Sequence, residues 1–235
     1  MSERSERPGS MSELRVVAVD GPSGSGKSTV SRAVADALGL EVLDTGAMYR
    51  AVTQAALERG LDLTDGDALG ELARTVTIVV TDVVLLDGRD ISDTVRGPEV
   101  TAAVSTVSAH PQVRTVLVAR QREWVDARSG GVVEGRDIGT VVFPDAPLKI
   151  YLTASEDERA RRRQRDEVAA ARGTDVTTVA DDLARRDRLD SSRATSPLAA
   201  ADDAVVVDTT AMDKDAVVAH VVALAHASVG VGPVA

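Results

Sequence analysis

Gly21-Pro22-Ser23-Gly24-Ser25-Gly26-Lys27-Ser28 is the stretch whose reading decides the fold. It satisfies the phosphate-loop pattern G-x-x-x-x-G-K-[ST] at every fixed position. The apolar run Leu14-Arg15-Val16-Val17-Ala18-Val19 before it predicts a buried strand. Behind it, Val30, Ala33, Val34, Ala37 and Leu38 recur at helical spacing, and Gly39 supplies a stop. Strand, loop and helix therefore follow in the order a polyphosphate site needs. Without side chains at Gly21, Gly24 and Gly26, backbone N–H groups can converge on an anion at the helix N-terminus. The predicted donor-nucleotide contacts are Gly21, Pro22, Ser23, Gly24, Ser25, Gly26, Lys27, Ser28 and Thr29. Lys27 reaches outer phosphates, and the Ser28 hydroxyl is the expected Mg²⁺ ligand.

Outward from the loop, the apolar runs alternate between strand and helix. Leu40–Leu43 reads as a strand, Ala47–Arg59 as a helix, and Asp65–Arg74 as a second helix. From Val76 to Ile91 the pattern changes to short β-runs with a turn at Asp87-Gly88, a small antiparallel meander. Helices over Pro98–Ser108 and from Pro111 follow, the latter with Val113, Val116, Leu117 and Trp124 on one face. Strands are predicted at Val132-Val133, Leu148–Thr153 and Val205–Asp208, and a last helix at Asp213–Ala227. Five strands alternating with helices predict a three-layer α/β fold on an open parallel sheet, with ligands at the carboxyl ends of its strands. The expected organisation is a polar tail over 1–13 and one domain over 14–227. Within that domain lie an inserted subdomain at about 62–100 and an arginine-rich helical hairpin at about 155–193, broken near Gly173; residues 228–235 read as a frayed end.

Composition narrows the function. The chain has 235 residues, 43% of them hydrophobic but only 2% aromatic, and a formal net charge of −10. An acidic, aromatic-poor surface argues against nucleic acid as a partner. No Cys is present, so thiolate metal sites and disulfides are excluded. No apolar run is long enough to span a membrane, and a cytoplasmic protein is the expectation. The three histidines, His110, His220 and His226, stand away from the strand ends, so no Ser-His-Asp nucleophile is expected.

The polar residues after each strand are the candidates for chemistry: Asp44, Thr45, Gly46, Tyr49 and Arg50 after the second, and Glu134, Arg136 and Asp137 after the third. Taken singly, Asp44 and Thr45 read as helix caps. Between Arg159 and Arg193 stand ten arginines against seven acids. That density suits either two solvated, ion-paired helices or a surface that closes over phosphates.

Several stretches together resemble bacterial cytidylate kinases, of the nucleoside monophosphate kinase family. They are Asp20–Ser28, Asp44-Thr45-Gly46-Ala47-Met48-Tyr49-Arg50, Val95-Arg96-Gly97-Pro98-Glu99-Val100, Glu134–Pro144, and Arg186–Arg193 with Ser196-Pro197-Leu198. The resemblance runs from about residue 14 to 227 and includes the enlarged monophosphate-binding region at 62–100. It implies phosphoryl transfer from ATP, with Mg²⁺, to CMP or dCMP by a monomer. Carried over by position, Arg50, Arg136 and Arg193 would grip the acceptor phosphate, with Thr45, Tyr49 and Arg96 on the acceptor side. Ser105, Arg114 and Asp137 would read the cytosine, and Arg186 and Asp190 would contact the sugar. Arg162 and Arg163 would close on the ATP phosphates from the lid. Lys27, Arg136, Asp137, Arg162 and Arg193 are thus the expected catalytic set. On the residues alone, a phosphate-loop kinase for another small acceptor and a nucleotide-dependent switch protein both stay open.

Overall fold

The computed structural model describes residues 15–169 and 176–229. The expectations for the 1–13 tail, the break at Gly173 and the 230–235 end lie outside the described residues. The central sheet holds five parallel strands: β1 (Arg15–Asp20), β2 (Val42–Asp44), β6 (Gly130–Glu134), β7 (Leu148–Thr153) and β8 (Val205–Asp208). Their order is β2-β6-β1-β7-β8, so the phosphate loop leaves the middle strand. β1 reads as an unbroken apolar run because both its faces are covered. Val16 and Ala18 enter the core on one side, Val17 and Val19 the core on the other.

Helices α1 (Lys27–Leu38) and α8 (Lys214–Val229) cover the second face, where Val30, Val34, Leu38, Val217, Val221 and Ala225 pack on Val132, Ile150, Leu152 and Val207. Ala37, expected on the buried stripe of α1, is exposed, and Ala35 and Ser31 are buried there in its place. α8 runs to Val229, two residues beyond the expected end.

The first face carries α2 (Thr45–Glu58), α3 (Gly66–Thr75), α4 (Pro98–Val107) and α5 (Pro111–Asp126). Between α3 and α4 the chain forms a three-stranded antiparallel sheet of β3 (Ile78–Val80), β4 (Val84–Leu86) and β5 (Arg89–Asp90). Its third strand falls two residues earlier than Ile91, whose side chain turns into the core instead. Leu69, Leu72, Val76, Val84, Leu86, Ile91 and Val95 belong to the same apolar cluster as Val16, Leu43, Leu117 and Val133. Residues 62–100 therefore share the core of the main body. Trp124 packs on the margin of that cluster, half-buried, with the Arg128 guanidinium 4.2 Å from its ring centroid.

Two further helices, α6 (Glu156–Ala169) and α7 (Val176–Ser191), carry eight of the ten arginines between Arg159 and Arg193 and meet through a small cluster of Ala160, Val179 and Leu183. Past β6, residues Ile138–Val142 make one wide helical turn, in which Val142 and Phe143 donate to the carbonyls five residues back, Asp137 at 3.2 Å and Ile138 at 2.7 Å. Such single π-turns are frequent at functional sites.

Candidate active site

The carboxyl ends of β1, β2 and β6 open into one cleft of about 620 Å³, roofed by α7 and flanked by the antiparallel sheet. The phosphate loop forms its floor. Gly21 has φ +148°, and a Cβ there would sit 2.1 Å from the Leu152 carbonyl oxygen, so the chain can make this approach only as glycine. Gly24, Gly26, Lys27, Ser28 and Thr29 line the cleft, as does Ser23. Gly21, Pro22 and Ser25, also expected to contact the donor, do not line it. The Pro22 carbonyl accepts from Lys27 Nζ at 2.8 Å.

Each expected acceptor-side residue lines the same cleft: Thr45, Tyr49, Arg50, Arg96, Ser105, Arg114, Arg136, Asp137, Arg186, Asp190 and Arg193. Asp44 caps α2, accepting from the Ala47 N–H at 3.0 Å, and also faces Arg96 at 3.4 Å. Thr45 Oγ1 donates to the Glu134 carbonyl at 2.7 Å, tying the ends of β2 and β6 together. Arg114 and Asp137 form a buried ion pair, side chains 6% and 5% exposed, beside the Tyr49 ring. Asp190 collects Arg136 Nε at 3.1 Å, Ser105 Oγ at 3.1 Å and Arg193. Arg136 also donates to Ser23 Oγ at 2.8 Å, so one guanidinium spans the phosphate loop and the acceptor side.

Of the two lid arginines, Arg163 lines the cleft and Arg162 does not. Arg162 lies over the back of the loop. Its fork donates to Thr209 Oγ1 at 2.9 Å and the Thr209 carbonyl at 2.8 Å, with the Ser25 carbonyl 3.4 Å away.

The electrostatics of the cleft are those of crowded cations. Burial, with Arg136 nearby, holds Lys27 well below the usual ammonium range. Burial and Arg186 lower Arg50 to about 9; burial and Arg136 lower Arg186 to about 10. Arg193 is lowered by burial as well. For each, the charged form is disfavoured because water has been removed and like charge stands close. A polyanion between them would relieve both. On Glu134 the effect is reversed: burial, then Asp44, pushes its carboxyl up.

Some residues that shape the cleft gave no readable signal in the sequence. Val80, Thr81, Asp82, Val84 and Ser92 of the antiparallel sheet line it, as do Arg32 and Ser108. Asp20 closes β1 and accepts from the Ile138 and Gly139 N–H groups at 2.8 Å each, fixing the turn beyond Asp137; burial pushes its carboxyl to about 6. Its position directly before the loop, at a strand end, was the available clue. His110 is structural, its Nε2 2.8 Å from the Leu63 carbonyl. Among the described residues no group of three or more His, Asp or Glu could hold a metal by itself, and no helix is long and apolar enough to cross a membrane.

The cytidylate kinase family model matches residues 17–227, which takes in every element that builds the cleft. The chain belongs to the cytidylate kinase family. A cytidylate kinase of Mycolicibacterium paratuberculosis is 54% identical over 89% of this chain and 94% of its own length. One of Rhodococcus opacus is 50% identical over 92% and 97%. Among solved structures, an uncharacterized protein from Eubacterium ventriosum superposes with a TM-score of 0.50 at 11% identity, covering 91% of this chain and 99% of that one. That last likeness is one of fold. The cytidylate kinase match reaches through the antiparallel sheet and both arginine-rich helices as well as the phosphate loop.

Proposed function

We propose that this protein transfers the terminal phosphoryl group of ATP to CMP or dCMP, giving ADP and CDP or dCDP. The observation that carries the reading is that Arg50, Arg136, Arg186 and Arg193 line one cleft with Lys27 and the buried Arg114–Asp137 pair. Phosphoryl transfer needs alignment of donor and acceptor and neutralisation of charge on the moving group. Lys27 and the loop amides hold the donor phosphates, and Arg163 reaches them from α6; Arg162 would join only by leaving its bonds to Thr209. Arg50, Arg136 and Arg193 hold the acceptor phosphate, which is itself a competent nucleophile, so no histidine base is needed. Arg186 and Asp190 contact the sugar. Asp137 takes the cytosine amino group and Arg114 the ring acceptors, with Ser105 beside them. Thr45, Tyr49 and Arg96 complete the acceptor wall.

A divalent cation fits the donor side. Ser28 and Glu134 both line the cleft, the Ser28 hydroxyl favours the charged form of the Glu134 carboxyl, and Glu134 Oε2 is buried without a hydrogen-bond partner. These are hard oxygen donors of the kind Mg²⁺ takes together with substrate phosphates. When bound, Mg²⁺ supplies charge neutralisation on the phosphate oxygens.

The test is ADP release with CMP, dCMP, UMP, AMP and shikimate offered side by side. CMP and dCMP are expected to be the best acceptors; a better rate with any other overturns the assignment. Turnover indifferent to every acceptor would instead mark a nucleotide-dependent switch.

The lowered Lys27 gives a pH prediction. Burial disfavours the Lys27 ammonium in the empty cleft, whereas bound phosphates favour it. ATP binding in the presence of a chelator therefore takes up protons. Calorimetry in buffers of different ionisation enthalpy will read this as a buffer-dependent heat, and Lys27→Ala will remove it. A buffer-independent heat in the native protein would mean that Lys27 is fully charged beforehand.

A further inference from the structure

The Ser23 peptide, at the crest of the phosphate loop, is held from outside the cleft by a pair that the reaction above does not use. Arg159, in the first turns of α6, donates from Nη1 to the Ser23 carbonyl at 3.0 Å and from Nε to the Ala154 carbonyl at 3.2 Å. Asp187, on α7, accepts from the Ser23 N–H at 3.1 Å. The two side chains bond each other and are 9% and 16% exposed. α6 also rests directly on the loop: a Cβ on Gly24 would meet the Arg159 carbonyl oxygen at 2.9 Å. Neither Arg159 nor Asp187 lines the cleft.

We propose that the Arg159–Asp187 pair is a positioning clasp, which fixes the Ser23 peptide and so sets the affinity of the phosphate loop for its nucleoside triphosphate. Both polar groups flanking Ser23 are satisfied on the outer side. The chain then enters Gly24, with φ +77°, in one orientation. The residues that follow, Gly24, Gly26, Lys27 and Ser28, are the ones that face the phosphates. A loop fixed in advance spends no binding energy on ordering itself. Because α7 also carries Arg186 and Asp190, the clasp joins the donor loop to the helix that roofs the acceptor. The inference rests on the donor half of the function proposed above.

The experiment is a double-mutant cycle of Arg159→Ala, Asp187→Ala and both together, with Asp187→Asn as the conservative variant. A lost hydrogen bond to a charged group predicts a fall in kcat/KM for ATP of about 10–30-fold in each single alanine variant. The KM for CMP should stay within about threefold of the native value. The double variant should lose no more than the worse single one, since the pair acts as a unit. Asp187→Asn keeps an acceptor for the Ser23 N–H and should recover at least about threefold of the loss. Equal losses on the ATP and CMP sides, additive losses, or ATP parameters within threefold of native would each overturn the clasp. Calorimetric titration with ATP alone reads the same weakening without an acceptor. If CMP is not phosphorylated by the native protein, the function fails while the clasp is still decided.

Discussion

Lys27→Ala will lower kcat with ATP and CMP by about 10²–10³-fold, the loss expected when one preorganised cationic donor is removed from a transition state. Lys27 is the one compact cation in the loop, and it is buried against the Pro22 carbonyl. The guanidinium of Arg136 is already shared between Ser23 and Asp190 and cannot take its place. The fold should survive the change. Losing the bond to the Pro22 carbonyl costs about 1 kcal/mol, while removing a buried ammonium whose charged form is disfavoured works the other way, so the melting temperature should move by only a few degrees. Steady-state kinetics beside a thermal melt separate the two effects. Turnover within a few-fold of native would remove Lys27 from the chemistry.

Asp137→Ala will fail on both counts at once. Arg114 and Asp137 are each almost fully buried, and removing the carboxylate strands a guanidinium away from water. Breaking such a pair from one side costs about 3–5 kcal/mol. For a domain of this size that is a fall in melting temperature on the order of 10 °C. The same carboxylate is the acceptor proposed for the cytosine amino group. CMP use should therefore fall much more than ATP binding, by about 10²-fold in kcat/KM for CMP. Asp137→Asn keeps the shape, and its amide can donate to the O4 of uracil. It should narrow the ratio of CMP to UMP turnover, where a structural role alone would leave the ratio unchanged. If Asp137→Ala weakens ATP and CMP equally, Asp137 does not belong to the base pocket.

The sheet was legible because its strands are continuous apolar runs. Leu148–Thr153 and Val205–Asp208 were read with the bounds they have, and β1 only one residue off. The run at 205–207 does not by itself tell which of its valines are buried. β8 is an edge strand covered on one face, so Val207 is buried while Val206 is 59% exposed. The cleft was legible as far as it is built from the turns after strands, where polar residues follow an apolar run. The antiparallel sheet gave no such signal, since Thr81, Asp82 and Ser92 are ordinary turn residues until tertiary packing brings them to the cleft. The wide turn at Ile138–Val142 was invisible for a related reason. It is held by Asp20, more than a hundred residues away, and carries no local pattern. Arg159 and Asp187 were hidden by their own kind: a charged residue on an arginine-rich helix looks the same whether it faces water or a loop.

The shared core beneath the antiparallel sheet limits what recombination could do with this protein. Leu69, Val84, Leu86 and Ile91 belong to one apolar cluster with Val52 of α2, Leu117 of α5 and Val16 and Val133 of the main sheet, so residues 62–100 are no cassette that could be cut out or exchanged for another acceptor module. Excision would open the main body to water over a whole face. A change of acceptor would have to proceed by single substitutions at the cleft surface, at positions such as Thr81, Asp82 and Ser92, with the apolar underside kept intact.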